Sequence, residues 1–406
     1  MRESIGGRGR IARAALVAIS IAACGRTEAR DDAPAATPAP EVDAPDLPLD
    51  AIPEGDCKKP PGGAPTLLFS AWTPDAAHRG GGLPGGRLLR VGKDVYTALL
   101  APKGDERLTI YRGRAAPGAT FEAYAKRVDE DTRMVMGDRL YWNARDASTS
   151  PLRLTFRGEG DAAIPVYGTE NDFSHAVAGD TAYVFDIQHC VTAPCPAPER
   201  IASVNLRTGI ENWSRPFDRH GWRPIVVGGD LFFTTNWDIA TQTQRTRLFR
   251  MPTAGGDVVE IGIDLDPIDL DVSSVARDED GLAIVGLGRR DETGAADVIR
   301  YRLPLPVDPA KPPFRLVLGR TFVGSTSAFD RSSVYFTVEG PPSAGKNQTQ
   351  TLMRVCKDGT NPTVILQGVS INAAPAHLDA HHVTDLAVDG KRLFFTSNNA
   401  VYTLDK

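Results

Sequence analysis

Cysteine is scarce in this chain, with five in 406 residues, and no CxxC pair occurs. That removes the usual thiolate cluster of a structural zinc site. The local motifs that carry chemistry are missing too. There is no GxSxG, no HExxH, no P-loop, and no GxGxxG set between a strand and a helix. The sequence therefore shows no nucleophile elbow, no metalloprotease helix and no phosphate cradle. The Gly-rich "RGGGLPGG" (Arg79 to Gly86) reads as a flexible loop, because no helix follows to present its N-terminus to phosphate. No apolar run approaches the roughly 20 residues that span a bilayer. Positive charge is not in excess: 46 Lys and Arg stand against 51 Asp and Glu. Such a balance argues against nucleic acid as a partner. What is plentiful is Gly, 39, and Pro, 31, which implies many turns and few long helices.

The N-terminus reads as a processing segment. Arg2, Arg8, Arg10 and Arg13 precede the short apolar run Ala14 to Ala23, the pattern of a secretory signal. That run ends in "IAAC", which resembles the bacterial lipobox, with Ile21, Ala22 and Ala23 before Cys24. The resemblance implies cleavage after residue 23 and acylation of Cys24. Each buried CH₂ stabilises membrane attachment by about 0.8 kcal/mol, so two or three chains make a stable anchor. Losing residues 1–23 removes four Arg and one Glu, leaving 42 basic against 50 acidic residues, a net charge of −8. Gly25 is not the acidic residue associated with inner-membrane retention, which tilts the expected address toward the outer membrane. Residues 24–65 alternate Pro, Ala and acidic residues. They read as an extended tether with too little apolar surface to fold.

The four remaining cysteines favour disulfides in an exported chain. Cys190 and Cys195 close the short loop "CVTAPC" and are the first expected pair, leaving Cys57 with Cys356. Three connectivities are possible, and free thiols are the remaining alternative.

From residue 66 onward one hairpin recurs. Anchors at Tyr96, Tyr141, Tyr183, Phe232, Ala283, Tyr335 and Phe394 follow one another at intervals of 45, 42, 49, 51, 52 and 59 residues. Each has a short apolar strand, a turn containing Gly or Asp, and a second apolar or aromatic strand. Such turns supply a positive φ or a local cap, and the flanking residues suit a pleated buried surface. A third strand follows most hairpins, and a fourth follows several. Seven four-stranded antiparallel units in residues 66–406 describe an all-β fold, a seven-bladed β-propeller. Six or eight blades, or two β-sandwiches, are the alternatives. The last unit stops after "AVYTLDK", and an orphan strand, Thr66 to Trp72, precedes the first. That N-terminal strand is expected to close the ring as the outer strand of the last blade.

Tyr141-Trp142-Asn143, Phe232 to Asn236, Tyr335 to Thr337 and Phe394 to Asn398 resemble degenerate YWTD-type propeller repeats. No repeat carries the full YWTD, and seven units exceed the six blades usual for that family. The resemblance implies binding and recognition rather than catalysis.

Counted on this register, the histidines fall in or beside loops of the face around the central channel. His175, His220, Trp222, Trp237, His377, His381 and His382 form the candidate binding face. The run "HLDAHH" (His377 to His382) is a candidate for a transition metal, and Asp264 to Asp271 for calcium. A plain solvated surface is the preferred reading of both, and no cofactor is expected. The chain is therefore expected to be a monomeric, lipid-anchored envelope protein that binds a protein, peptide or glycan. The rival expectation is a lyase or hydrolase with histidine as general base at the channel mouth.

Overall fold

The structure is a computed structural model. It describes residues 55–59, 62–71 and, between 88 and 406, the strands and their shorter turns. Outside the description lie residues 1–54, 72–87, 101–107, 129–133, 145–152, 188–198, 263–273, 342–348, 370–382 and shorter loop stretches. The described residues form 28 strands and no helix.

After β1 (Gly62–Ser70), the strands come in groups of four. Blade 1 is β2 (Leu88–Val91), β3 (Asp94–Leu100), β4 (Leu108–Arg114) and β5 (Phe121–Val128). Blade 2 is β6 (Met134–Met136), β7 (Leu140–Ala144), β8 (Arg153–Arg157) and β9 (Ala163–Gly168). Blade 3 is β10 (Asp172–Ala178), β11 (Thr181–Ile187), β12 (Glu199–Asn205) and β13 (Glu211–Phe217). Blade 4 is β14 (Arg219–Val227), β15 (Asp230–Asp238), β16 (Thr243–Pro252) and β17 (Val259–Ile261). Blade 5 is β18 (Ser274–Asp278), β19 (Gly281–Leu287), β20 (Ala296–Leu303) and β21 (Phe314–Thr321). Blade 6 is β22 (Ser327–Phe329), β23 (Ser333–Glu339), β24 (Thr349–Cys356) and β25 (Thr363–Val369). Blade 7 is β26 (Val383–Val388), β27 (Arg392–Ser397) and β28 (Ala400–Asp405). Its fourth strand is β1, antiparallel to β28 with Ser70 opposite Ala400 and Gly62 opposite Asp405. The fold is thus a seven-bladed β-propeller closed by its N-terminal strand. β1 starts at Gly62, four residues before the strand start read from the sequence. Blades 1 and 2 are also bridged by one pair, Val128 with Ala144.

The recurring aromatic doublet has a packing reason. Successive side chains on a strand point to opposite faces, and the second strand of a blade has a neighbouring blade on each side. Tyr141 packs toward blade 3 with Val184 and Ala202, and Trp142 toward blade 1 with Leu108 and Ile110. Phe232 meets blade 5 at Ile284, and Phe233 meets blade 3 at Phe185. Tyr335 faces blade 7 and Phe336 blade 5. Phe394 faces blade 1 and Phe395 blade 6. Seven buried clusters result, one between each pair of adjacent blades. No blade carries a core of its own.

The turns between first and second strands and those between third and fourth strands share one face, here called the lower face. Two turns show why Gly recurs there. Gly228 and Gly229 have φ of 60° and 80°, which lets β14 return directly as β15. Gly281 has φ of 138°, and a Cβ there would lie 2.2 Å from the Leu303 carbonyl oxygen. Gly281→Ala is therefore expected to lower the unfolding free energy by about 1–3 kcal/mol. Urea denaturation checks this, and an unchanged midpoint would contradict it.

Polar latches link the blades on this face. Arg250 donates to the Val307 carbonyl of blade 5 at 2.9 Å, and Arg392 to the Ala115 carbonyl of blade 1 at 2.7 Å. Lys406 pairs with the fully buried Asp330 of blade 6 at 2.7 Å. Lys357 pairs with Asp278 of blade 5, which also takes the Arg300 guanidinium at 2.6 Å.

Candidate functional site: the upper-face residues and a lower-face cleft

The structure places the residues singled out in the sequence as follows. His175 is not in a loop. It is the fourth residue of β10, opposite Val184, and only 1% exposed. It shares a strand face with Val177, which packs against the cluster between blades 2 and 3. His220 and Trp222 lie within β14, and Trp237 within β15. These strands reach further up than the hydrophobic pattern suggested. Their ends pair Trp222 with Thr234 and Trp237 with Gln244 through irregular register. His377, His381, His382, Cys190, Cys195, Cys24 and the acidic run Asp264 to Asp271 lie outside the described residues. Among the described residues, no three His, Cys, Asp or Glu side chains are grouped so as to hold a metal ion.

Cys57 and Cys356 form a disulfide, with their Cα atoms 5.2 Å apart. It fixes the segment around Cys57 to the end of β24. Two residues earlier, Gly55 lies so close to the Asp330 carboxyl that a Cβ would stand 2.3 Å from it. The first described residue, Gly55, and the C-terminal Lys406 therefore both meet blade 6 at this carboxylate.

Sequence reasoning missed a second feature. A cleft of about 590 Å³ opens between blades 2 and 3 at the lower face. Tyr141, Phe156, Val166 and Leu206 give it an apolar lining, while Arg139, Asp180 and Arg207 bring charge to it. The Arg139 guanidinium sits 4.5 Å above the Phe156 ring, and Arg207 pairs with Asp180 at 2.9 Å. Ile164 in the lining is 40% exposed, and Ile210, next to the lining residue Gly209, is 66% exposed. The lining residues lie up to 70 positions apart in sequence, so no local motif announces them.

Behind the cleft, a network ties the two blades. Tyr167 donates to Glu211 at 2.6 Å and accepts from Arg200 at 2.7 Å. Arg200 also pairs with Glu211 at 2.8 Å and Asp186 at 3.2 Å. Burial, and then the bond to Glu211, push the Tyr167 hydroxyl well above its ordinary pKa. Burial acts to raise Glu211, but the Tyr167 bond and the Arg200 charge outweigh it and hold that carboxyl below its usual range. Each group is thus locked in one protonation state at neutral pH. The network braces the cleft wall.

No family model and no curated protein matches the chain. Solved propellers similar to it include an inactive virginiamycin B lyase from Staphylococcus aureus bound to quinupristin, at 10% identity and a TM-score of 0.48. That match covers 84% of this chain and 98% of the lyase. The β-propeller domain of the Trilobed protease from Pyrococcus furiosus has 11% identity and a TM-score of 0.47, with 79% and 93% of the two chains covered. BamB from Moraxella catarrhalis has 12% identity and a TM-score of 0.39, with 84% and 99% covered. Their described roles differ from one another, and at such identities none of them transfers to this chain.

Proposed function

We propose that this protein is an exported propeller, held to a membrane by acyl chains on Cys24, that binds a protein partner through an extended segment of that partner. The cleft between blades 2 and 3 carries the reading. Its apolar lining, exposed aliphatic rim and arginines have the composition of a recognition surface. With Arg207 paired to Asp180, the Arg139 guanidinium over Phe156 favours a segment that combines aliphatic with acidic residues. The degenerate YWTD-type repeats agree with a recognition role. The Cys57–Cys356 disulfide suits the oxidising compartment that an exported chain meets. The protein acts as a monomer in the cell envelope, at the outer membrane, and needs no cofactor.

Two experiments test the two halves of the proposal. Cys24→Ser is expected to move the protein from the membrane fraction to the soluble fraction of the envelope, and persistence in the membrane would refute the anchor. A photocrosslinker at Thr208 should trap one dominant adduct in the wild-type background. Ile164→Asp combined with Arg139→Glu should cut that adduct at least about tenfold, the effect expected of an interface hot spot. Equal adduct in both, with both proteins folded, would remove the cleft from the reading.

A further inference from the structure

Arg354 is only 1% exposed, in β24 opposite Tyr335 of β23 and Thr363 of β25. Its Nε and Nη1 have no hydrogen-bond partner among the described residues. A buried guanidinium is costly unless a counter-charge faces it. Asp330, the carboxylate on the same side of blade 6, is already committed. It accepts from Lys406 at 2.7 Å, from the Tyr335 hydroxyl at 3.0 Å, and from the Ser332 and Ser333 amides at 2.9 and 2.7 Å.

Two residues further along β24 is Cys356. Alternation puts Leu352, Arg354 and Cys356 on one strand face, and Leu352 packs in the cluster between blades 6 and 7. Two strand residues advance roughly 6.6 Å, within the span of an arginine side chain. Cys356 is 3% exposed and bonded to Cys57. As a disulfide it carries no charge. As a thiolate it would give Arg354 a counter-charge, and an adjacent arginine favours that form. A second donor is in place, since the Asn361 side-chain amide donates to the Cys356 sulfur at 3.5 Å.

The other sulfur is the accessible one. Cys57 is half-buried and sits between exposed Asp56 and Lys58. Residues 55–59 are held by local hydrogen bonds, from the Lys58 and Lys59 amides to Asp56. Lys58 and Lys59 stand against Asp56 and Asp358. These charges balance, so access and leaving group decide the reaction there.

We propose that the Cys57–Cys356 bond is a thiol-exchange site, opened at Cys57 by a low-molecular-weight thiol. The incoming thiolate attacks the Cys57 sulfur from solvent, in line with the S–S bond. A new S–S bond forms to Cys57, the old one breaks, and its electron pair leaves on Cys356. Arg354 and Asn361 stabilise that thiolate. One thiolate and one disulfide stand on each side of the step, so no further oxidant or reductant enters. A better leaving thiolate speeds exchange, and a stabilised reduced form makes a disulfide easier to open. The pairing of β1 with β28 is untouched, so the ring stays closed while residues 55–59 come free of blade 6. The site depends neither on the cleft nor on the acylation of Cys24.

The test exposes the purified, folded full chain to excess reduced glutathione, quenches with acid and maps the adducts by mass spectrometry. Glutathione on Cys57 with a free thiol at Cys356 should exceed the reverse arrangement at least about tenfold, because access selects the sulfur. In urea, where both sulfurs are open, the two arrangements should approach equality. Arg354→Met removes the charge and keeps the bulk. It should slow opening of the bond roughly three- to tenfold by weakening the leaving group, and Arg354→Lys should restore most of the rate. The oxidised Arg354→Met protein should be no less stable to urea than the wild type, since an uncompensated buried charge is gone. Asn361 has a φ of 52°, so Asn361→Gly keeps the turn while removing the second donor, and it should slow opening about twofold. Adducts on Cys356, or equal adducts on the two cysteines in the folded chain, would overturn the proposal. So would opening rates left unchanged by both Arg354→Met and Asn361→Gly.

Discussion

Asp278→Asn is expected to lower the unfolding free energy by about 3–5 kcal/mol at neutral pH. Asp278 is 3% exposed and takes the Arg300 guanidinium at 2.6 Å and the Lys357 ammonium. Arg300 is equally buried and donates its other nitrogen to the Lys357 carbonyl at 2.7 Å. Two cations from blades 5 and 6 thus converge on one carboxylate. The amide would leave both charges in place with no counter-charge, the costly way to break a buried pair. The pH dependence follows in sign. Burial acts to raise the Asp278 pKa, but the bond from Lys357 and the charges of Lys357 and Arg300 outweigh it and lower the value. A depressed folded pKa contributes stability above the unfolded value near ~3.9 and loses it as pH falls through the folded value. The wild type should therefore lose stability steeply below about pH 4, and the variant less steeply. Urea midpoints from pH 3 to 7 would check both parts. A loss under about 1 kcal/mol at pH 7 would mean that the triad contributes no more than a surface pair. Asp358→Asn, an exposed carboxylate in the neighbouring turn, is the control.

The same residues show how far the sequence could be read. Blade number and closure were legible because both rest on local pattern. The doublets Tyr141-Trp142, Phe232-Phe233, Tyr335-Phe336 and Phe394-Phe395 must bury both neighbours, which requires a blade on each side. The outer edge of β28, the last strand, required a partner, and β1 was the segment left over. What was not legible depends on residues brought together across blades. Arg300, Asp278 and Lys357 look like ordinary turn and strand charges until blades 5 and 6 are set side by side. The cleft needs Ile164 of β9 beside Gly209, where a Cβ would stand 2.5 Å from the Val166 carbonyl oxygen. The placement of His175 failed for another reason. Apolar pattern marks where a strand must be buried, not where it ends. A polar residue continuing β10 upward therefore looks like loop in the sequence.

Removing the disulfide with Cys57→Ser and Cys356→Ser is expected to cost about 2–4 kcal/mol. The two cysteines are 299 residues apart. Taken alone, that separation would give a loop-closure term above 5 kcal/mol on the chain-entropy model. That figure overstates the case, because β1 already pairs with β28 and closes the same ring. Once Gly62 is opposite Asp405, the disulfide closes only the short stretch from residue 57 to 62 and the stretch from 356 to 405. The two closures share their entropy, so each is worth less in the presence of the other. The converse also holds. In the serine variant, the pairing of β1 with β28 loses its covalent support. Leu68→Ala, which removes a 7% exposed side chain from the cluster of blades 7 and 1, should then be more damaging than in the disulfide-bonded protein. A double-mutant cycle in urea measures the coupling. Strict additivity would show that the bond and the strand stabilise different unfolding units. A coupling of about 1 kcal/mol or more would show that they close one ring.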